Sequence, residues 1–255
     1  EISMSQRDMD MTKGPLKKQI LFFSIPLMLS NLLQVLFNMS DIAVIGQFAG
    51  AISLGAVGST TTLISMYTGF LIGLSGGINV LTALYIGAKN KKALSETVHT
   101  AFLVSLVIGL LLLLMGVTTS HGLLSILKTK EELADKAALY IKIYFLGIPA
   151  LAVYNFGNAV FSPAGDTGRP LRYLFIAGVV NVILNLFFVI VCRLDVVGVA
   201  LASALSQYLS AFLIVFALFK SRSDFGLRFS ELRFSKDKIR SILQIGIPSG
   251  FQNAV

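Results

Sequence analysis

The chain has 255 residues, of which 55% are hydrophobic and only 13% charged, and its mean hydropathy is +0.80. Soluble proteins carry roughly a quarter charged residues, so this composition excludes a soluble enzyme and predicts a protein surrounded by lipid. The single cysteine, Cys192, excludes a disulfide scaffold and any multi-cysteine metal centre. In a soluble protein the net charge of +8 would suggest nucleic acid, but the distribution of these charges indicates membrane orientation, and no nucleic-acid partner is expected.

Stretches without Asp, Glu, Lys or Arg predict the membrane-spanning helices, because roughly 20 apolar residues cross the hydrocarbon and a charge near its centre is costly. Six complete spans and the start of a seventh follow in chain order: 19–40, 52–86, 97–119, 143–163, 173–192, 196–219 and 241–255. Asp41 closes the first span, and the loop before the second is expected at 46–50. After the third span, a short amphipathic piece between His121 and Lys136 is expected to lie along the membrane interface.

The connections between these spans alternate in charge. The amino terminus, the loops after the second and fourth spans and the segment 220–240 hold 16 of the 21 Lys and Arg residues. The positive-inside rule therefore predicts a multi-pass protein of the inner cell membrane, in contact with lipid and with a cytoplasmic amino terminus. The predicted divisions are a cytoplasmic segment 1–18, a six-helix lobe 19–219, a basic cytoplasmic loop 220–240 and the start of helix seven at 241–255.

A short internal repeat predicts a second lobe. Residues 20–26 resemble residues 242–248, and Asn31 has its counterpart in Asn253. Every pair is offset by 222 residues. Five positions coincide, and both copies follow a basic segment. A period of six helices places both units in the same orientation, as in one class of transporters. The chain would then be one lobe, with the second lobe of the same protein as its missing partner.

Polar side chains inside the spans form one-faced stripes. The first span carries its stripe within an arc of about 80°, and the residues are Asn31, Gln34, Asn38 and Asp41. Three further spans add Tyr154, Asn155 and Asn158, then Asn181 and Asn185, then Ser203, Ser206, Gln207 and Ser210. The stripes of the first, fifth and sixth spans reach the same outer half, and the fourth span adds its own. The four converging stripes predict a water-filled cavity. In the alternative interpretation each Asn or Ser only packs helices together, and Asp41 merely ends its helix.

A carboxylate that faces amides inside a membrane can bind a cation directly or take up a proton. Asp41 is therefore the predicted coupling residue, and binding at Asp41 is expected to change the packing of the first helix around a hinge at Pro26. The residues expected to line the substrate cavity are Asn31, Gln34, Asn38, Tyr154, Asn155 and Gln207. The sequence contains no Ser-His-Asp or Cys-His arrangement, so no enzyme activity is expected.

Three stretches resemble the MATE family (multidrug and toxic compound extrusion), and the resemblance covers nearly the whole chain as an amino-terminal lobe. They are residues 10–15 leading into 23–32, residues 73–77 through 85–90, and residues 165–167 with Pro170. The resemblance implies twelve helices in two six-helix lobes. It also implies export of cationic or amphiphilic compounds in exchange for Na⁺ or H⁺, with no other cofactor.

Individual positions carry the resemblance to the coupling site. Asp41 matches the acid of the first helix that the family uses for cation coupling, and Asn181 and Asn158 match asparagines of the fifth and fourth helices. Ser203 stands where a threonine is common, whereas Asn185 departs from the aspartate found in many relatives with such a site. With one carboxylate, the resemblance implies a proton site, a weak Na⁺ site with Asp41 and Asn181 as ligands, or a wall that contacts substrate.

The sequence thus predicts an ion-coupled multidrug antiporter that works by alternating access. Two alternatives remain open at this point. One is a flippase for a lipid-linked saccharide, which should line its cavity with several Arg or Lys residues for pyrophosphate, although the predicted spans contain none. The other is a six-helix membrane scaffold without transport activity.

Overall fold

The structure is a computed structural model that describes residues 16–126 and 129–254, and all regular elements in these ranges are helical. The elements in chain order are α1 (Leu16–Phe48), α2 (Gly50–Gly87), α3 (Lys91–Ile126), α4 (Glu131–Phe145), α5 (Ile148–Phe161), α6 (Gly168–Leu186), α7 (Asp195–Lys220) and α8 (Lys236–Ala254). A π-helical turn, Phe187–Val191, extends α6, and a 3-10 turn, Phe229–Glu231, lies between α7 and α8. The predicted all-α fold is confirmed. Most of the predicted segment 1–18, including the stretch 10–15, lies outside the described residues.

Five of the described helices are long and apolar enough to cross a membrane: α1 from Ser24 onward, α2, α3, α6 with its π-helical turn, and α7. A sixth crossing results when α4 and α5, which are bent by 46° relative to each other, are counted as one broken span. The six predicted spans therefore correspond to six apolar crossings. α8 follows as a further helix that begins at Lys236, earlier than the predicted 241.

The predicted end of the first span at Asp41 is wrong, because α1 continues to Phe48. A charged residue ends a span when water must solvate it, but Asp41 is only 4% exposed and finds its hydrogen-bond donors inside the bundle. The chain turns instead at Ala49 and Gly50, within the predicted loop 46–50. Gly50 has a φ of 86°, a left-handed conformation that glycine adopts without steric cost.

The region between the third and fourth spans also differs from its prediction. Residues after His121, expected as a separate interfacial piece, form the last turn of α3 as far as Ile126. α4 then begins at Glu131 rather than 143, so that Lys136 and Lys142 lie on the helix. Lys136 is accommodated because its ammonium pairs with Asp195 and donates to the Ser53 hydroxyl at 2.9 Å. The expectation that the spans carry no lysine therefore fails for the broken span.

The break between α4 and α5 has a clear cause in the sequence. Gly147 separates the two helices, and Pro149 in the first turn of α5 lacks the N–H that would bond to the carbonyl of Phe145. The hydroxyl of Tyr208 on α7 donates to the carbonyl of Leu146, between the two helices, at 3.0 Å. The bend is thus built from residues on both sides of the helix pair.

Two large groups of buried apolar side chains fill the bundle. The end of the bundle with Lys89, Lys91, Arg169 and Arg222 is called the basic end here. In the half near this end Tyr154, Phe156 and Ile214 are fully buried, and in the opposite half the rings of Tyr67 and Phe145 meet edge to face with centroids 4.7 Å apart. The core therefore extends along the whole length of the helices.

The segment between α7 and α8 is bound to the first turns of α3. The ring nitrogen Nε2 of buried His99 accepts the Arg228 N–H at 2.9 Å, and the Ser95 hydroxyl donates to Glu231 at 2.6 Å. The hydrogen bond from Ser95 and the Arg228 guanidinium hold the pKa of Glu231 below its ordinary value. These contacts fix the start of α8, which packs closely along α2.

The contact between α2 and α8 depends on glycine. A Cβ atom added to Gly73 would collide with the backbone of Ser249 and Gly250, whereas one added to Gly58 on the same helix would meet nothing within 4 Å. We expect Gly73→Ala to destabilise the protein by about 1–3 kcal/mol because the two backbones must separate. Gly58→Ala is expected to be neutral or to stabilise by up to about 1 kcal/mol. Thermal unfolding of the detergent-solubilised variants measures the difference, and equal midpoints would contradict the packing.

Candidate functional site

The central feature of the site is the buried carboxylate of Asp41 on α1. The amide Nδ2 of Asn185 on α6 donates to its Oδ1 at 2.6 Å, and the hydroxyl of Ser203 on α7 donates to its Oδ2 at 2.7 Å. No salt bridge to Asp41 is found within residues 16–126 and 129–254. The carboxylate is therefore held by neutral donors alone, at a place where a charge is expensive.

Asn181 closes a ring of hydrogen bonds behind the carboxylate. Its Nδ2 donates to the Ser203 hydroxyl at 3.3 Å, and its Oδ1 accepts a second hydrogen bond from Asn185 Nδ2 at 3.2 Å. Asp41, Asn181, Asn185 and Ser203 are all buried, and together they are called the Asp41 cluster below. The structure thus brings together four predicted residues from three helices.

One polar atom of the cluster has no partner in the described part of the chain. The Oδ1 of Asn185 is buried and accepts no hydrogen bond, although its Nδ2 makes two. Buried acceptors are nearly always satisfied, so this oxygen has capacity left to accept a hydrogen bond or to contact a cation beside the carboxylate. Oxygens of the carboxylate, the two amides and the hydroxyl are also the donor atoms that hard cations prefer.

The close approach of α1 and α6 explains why Asp41 reaches Asn185. Phe37 and Asp41 lie one turn apart on α1, and Gly178 precedes Asn181 by one turn on α6. The ring of Phe37 occupies the space that a side chain at residue 178 would need. Because Gly178 leaves this space open, the two helices approach closely and the next turn brings the carboxylate to the amides.

The π-helical turn Phe187–Val191 begins two residues after Asn185. Such turns widen the helix and are frequent at functional sites. The turn ends with the N–H of Cys192 bonded to the carbonyl of Phe187 at 3.1 Å. Asn185 therefore lies in the last regular turn of α6, next to a local change in helical geometry. The sequence predicted one uninterrupted helix over 173–192 and did not predict this change.

Tyr140 and Tyr144 on α4 belong to the surroundings of the cluster and were missed by the sequence argument. Both are buried, both interact electrostatically with Asp41, and their rings stack with centroids 6.0 Å apart. Lys136 and Lys142 made this region resemble a connection between spans, so Tyr140 fell outside the predicted helix. The i, i+4 spacing of two tyrosines among apolar residues was the available signal.

The polar residues of α5 do not join the cluster. Asn158 accepts from Ser162 of the same helix at 3.2 Å, Asn155 donates to the Leu151 carbonyl at 3.0 Å, and the Tyr154 hydroxyl donates to the Pro170 carbonyl at 3.1 Å. The expectation that the fourth-span stripe converges on Asp41 is therefore corrected. The bend before α5 carries these residues into the half of the bundle near the basic end.

The stripe on α1 is divided by its packing. Asn31 and Asn38 are exposed and Gln34 is half-buried, whereas Asp41 is buried. An arc of 80° is wide enough to straddle the boundary between the buried and exposed sides of a helix, so only Asp41 enters the cluster.

Gln207 lies at the bend between α4 and α5, and Pro26 lies at the predicted hinge of α1. The buried Oε1 of Gln207 faces Gly147 at the break between α4 and α5 and has no partner within the described ranges. Pro26 lies inside α1, where its carbonyl accepts from the Ser30 hydroxyl at 2.9 Å. α1 continues as one helix through Pro26, so the hinge stays a prediction.

The Asp41–Asn185 contact predicts non-additive effects on stability. Asn185→Leu should destabilise the protein by about 1–3 kcal/mol at neutral pH, because it removes a donor from a buried charge. In the double variant with Asp41→Asn no charge remains, so the loss should be smaller than the sum of the single losses. Thermal unfolding of the parent, the two single variants and the double variant in detergent measures this difference. In the control, Asn158→Leu replaces Asn185→Leu in all variants. Additivity with Asn185→Leu would contradict the contact.

Fold and site together define a polytopic helical protein whose buried carboxylate is shared between neighbouring spans. The MatE family model matches residues 26–187, and the chain belongs to this family of membrane transporters, which confirms the resemblance seen in the sequence. It is an integral membrane protein with several apolar helices.

The curated relatives are named as multidrug proteins. The probable multidrug resistance protein YpnP of Bacillus subtilis is 34% identical over 249 residues, which are 96% of this chain and 55% of YpnP. The probable multidrug resistance protein NorM of Thermotoga maritima is 26% identical over 245 residues, or 94% of this chain and 52% of NorM. Members of the matched family are transporters and not enzymes, as predicted. The chain spans about half the length of the curated relatives it matches.

Solved structures of similar proteins also match this chain over about half of their own length. A MATE protein in a bent conformation superposes with a TM-score of 0.86 at 26% identity, covering 93% of this chain and 53% of that one. A MOP superfamily transporter from Pyrococcus furiosus, described as having a binding pocket of reverse polarity, gives 0.87 at 26% identity, with 97% and 55% coverage. The described helices therefore form one lobe of the two-lobe architecture.

Proposed function

We propose that this chain is the amino-terminal lobe of a multidrug antiporter, which exports cationic or amphiphilic compounds in exchange for H⁺ or Na⁺. The observation that supports this proposal is the Asp41 cluster, a buried negative charge held by uncharged donors beside an unpartnered amide oxygen. A structural carboxylate would normally be neutralised by a basic partner or exposed to water. One that is kept buried with neutral neighbours is suited to binding and releasing a positive charge.

Binding at Asp41 would rearrange the contacts between α1, α6 and α7. In the charged state both carboxylate oxygens accept, one from Asn185 and one from Ser203. Protonation turns one oxygen into a donor, so one of these partners must change its orientation. The Ser203 hydroxyl can rotate, and the Asn185 amide can present its free Oδ1. The occupancy of one site thereby biases the packing of α1, and with it a predicted bend at Pro26.

The single carboxylate favours H⁺ over a tightly held Na⁺ at this site. Within the described ranges no group of three His, Cys, Asp or Glu residues lies close enough to hold a metal ion. A sodium ion would rely on Asp41 and on the neutral oxygens of Asn181, Asn185 and Ser203. Such a set has fewer anionic ligands than a pair of carboxylates, so Na⁺ would bind weakly.

The exposed side of α1 is proposed to face the second lobe and the substrate. It combines the amides of Asn31 and Asn38 with exposed apolar side chains such as Met28, Leu32 and Met39. A face of this mixed character suits amphiphilic compounds, which need both apolar contact and a few polar groups. By the positive-inside rule the basic end lies in the cytoplasm of a cell whose inner membrane holds the protein.

The two alternative functions lack a supporting observation. A flippase for lipid-linked saccharides needs cations toward the cavity, but the Asp41 cluster contains none, and Lys136 is paired with Asp195. A scaffold needs no buried carboxylate. Transport driven by an ion gradient separates both alternatives from the antiporter.

The role of Asp41 can be tested in the protein that carries both lobes. Asp41→Asn is expected to abolish ion-driven drug efflux while expression and drug binding persist, because the amide cannot take up a proton or neutralise a cation. Proteoliposomes loaded with a fluorescent cationic drug are energised separately by a pH gradient and by a Na⁺ gradient.

Ser206→Ala is the matched control, since in the described part of the chain the Ser206 hydroxyl bonds to the Ser203 carbonyl on its own helix and not to the carboxylate. This variant should transport normally. Unchanged efflux by Asp41→Asn would show that Asp41 is not the coupling residue. If neither gradient drives efflux by the unaltered protein, the scaffold without transport activity is the remaining function.

The choice of ion can be tested by adding a carboxylate. Asn185→Asp places a second acid beside Asp41, so the variant should gain Na⁺-dependent stability as the cation relieves the repulsion between the two. The measurement is the thermal unfolding midpoint in NaCl against choline chloride at equal ionic strength. Asn158→Asp, which adds the same charge outside the cluster, should show no such gain. An identical Na⁺ response in Asn185→Asp and the parent would argue against a cation site here.

A further inference from the structure

A cavity of about 590 Å³ opens at the basic end of the bundle, far from the Asp41 cluster. Four separate parts of the chain form its walls: the end of α2, the start of α3, the turn after α5 and the segment after α7. Residues that line it include Tyr85, Lys89, Lys91, Arg222, Asp224 and Phe225. None of these residues takes part in the proposed coupling mechanism.

The cavity has an excess of positive charge. Lys91 pairs with Asp224 at 3.0 Å, but no salt-bridge partner of Lys89 or Arg222 occurs in the described part of the chain. A fourth cation lies behind the wall, where the Lys238 ammonium donates to the Tyr85 hydroxyl at 2.7 Å. Of the cations that line the cavity, Lys89 and Arg222 are therefore the two that an anion bound here would find without a salt-bridge partner in the described residues.

Lys89 occupies a backbone position that usually holds glycine. The chain leaves α2 through Lys89 with a φ of 53°, and the N–H groups of Lys89 and Asn90 bond to the carbonyls of Ile86 and Tyr85. This is the left-handed position of a helix terminus, where a lysine costs more than a glycine. The terminus therefore accepts a conformational cost while it presents a cation to the cavity.

The rest of the lining indicates an amphiphilic ligand. Ile86, Leu94 and Phe225 supply apolar surface beside the cations. α3 begins at Lys91 in the same wall, and the positive end of its dipole adds to the attraction for an anion. Because α2 ends and α3 begins here, the cavity lies at the depth of the lipid headgroups of one leaflet. In the proposed orientation this is the cytoplasmic leaflet.

We propose that this cavity binds the anionic headgroup of a membrane phospholipid, with its phosphate between Lys89 and Arg222 and its acyl chains along the neighbouring apolar surface. The cations recognise the negative charge, and the apolar residues distinguish a lipid from a free phosphate. The proposal goes beyond the exchange of drug and ion, since it concerns a different end of the molecule.

The test is lipid binding by the purified protein with both lobes, measured by native mass spectrometry in detergent. Phosphatidylglycerol and phosphatidylcholine with the same acyl chains are titrated separately, and inorganic phosphate is added as a competitor. The double variant Lys89→Gly with Arg222→Gln should bind phosphatidylglycerol about 25-fold more weakly, from about fivefold for each cation. Binding of phosphatidylcholine should not change.

The substitution at residue 89 is chosen to preserve the fold. Glycine relieves the left-handed conformation, so the thermal unfolding midpoint of Lys89→Gly should equal or exceed that of the parent. Lys92→Gln is the matched control, because Lys92 lies on the same end of the bundle but lines a neighbouring groove instead of this cavity.

A selective loss in the double variant, with Lys92→Gln unaffected, supports the site. A loss of about fivefold in Lys92→Gln, as large as the loss expected for each cavity cation, would show a diffuse surface potential and overturn the proposal. Equal affinity of the parent for the two lipids would overturn it as well. Displacement of phosphatidylglycerol by an equal concentration of inorganic phosphate would assign the cavity to a soluble phosphate compound. Since binding is measured without ion gradients, these outcomes are independent of transport.

Discussion

The structure depends on how one negative charge is kept inside a bundle of apolar helices. A buried carboxylate that lacked partners would cost on the order of several kcal/mol. Asp41 avoids this cost because Asn185 and Ser203 each donate to one of its oxygens. The arrangement requires α1, α6 and α7 to meet closely at one level. Gly178 makes the approach possible by leaving space for the ring of Phe37. The contacts that position α1, α6 and α7 are therefore the same contacts that stabilise the buried charge.

The surrounding helices serve this constraint in different ways. The broken pair α4 and α5 brings two buried tyrosines toward the charge from one side, and its bend is stabilised from α7 by the hydroxyl of Tyr208. The π-helical turn after Asn185 interrupts the regular geometry of α6 at the same level. A site that lies among helix irregularities can change its contacts without unfolding a whole span. This is what an element that responds to a bound proton or cation needs.

The far end of the lobe has a separate organisation. The segment after α7 is bonded to α3 through Ser95, His99 and Glu231, and it delivers α8 to the glycine-lined face of α2. A helix that follows the six spans is thus held firmly against the lobe. The basic cavity lies beside this connection, between the ends of α2 and α3. Charge at the basic end therefore carries the proposed orientation in the membrane and also shapes the surface proposed to bind an anionic headgroup.

Most of the architecture could be read from the sequence, because lipid imposes a simple rule on charge and length. Uncharged runs predicted the six crossings and the turn near Gly50, and three short stretches carried the resemblance to the family. The polar stripes predicted that Asp41, Asn181, Asn185 and Ser203 share a face toward one another. The rule fails where a charge finds partners in space. Asp41 does not end α1, and Lys136 lies on α4, since Ser203 and Asp195 are far from them along the chain. Packing between helices decided which part of the α1 stripe is buried and brought Tyr140 to the site. The one-dimensional sequence pattern does not contain this packing.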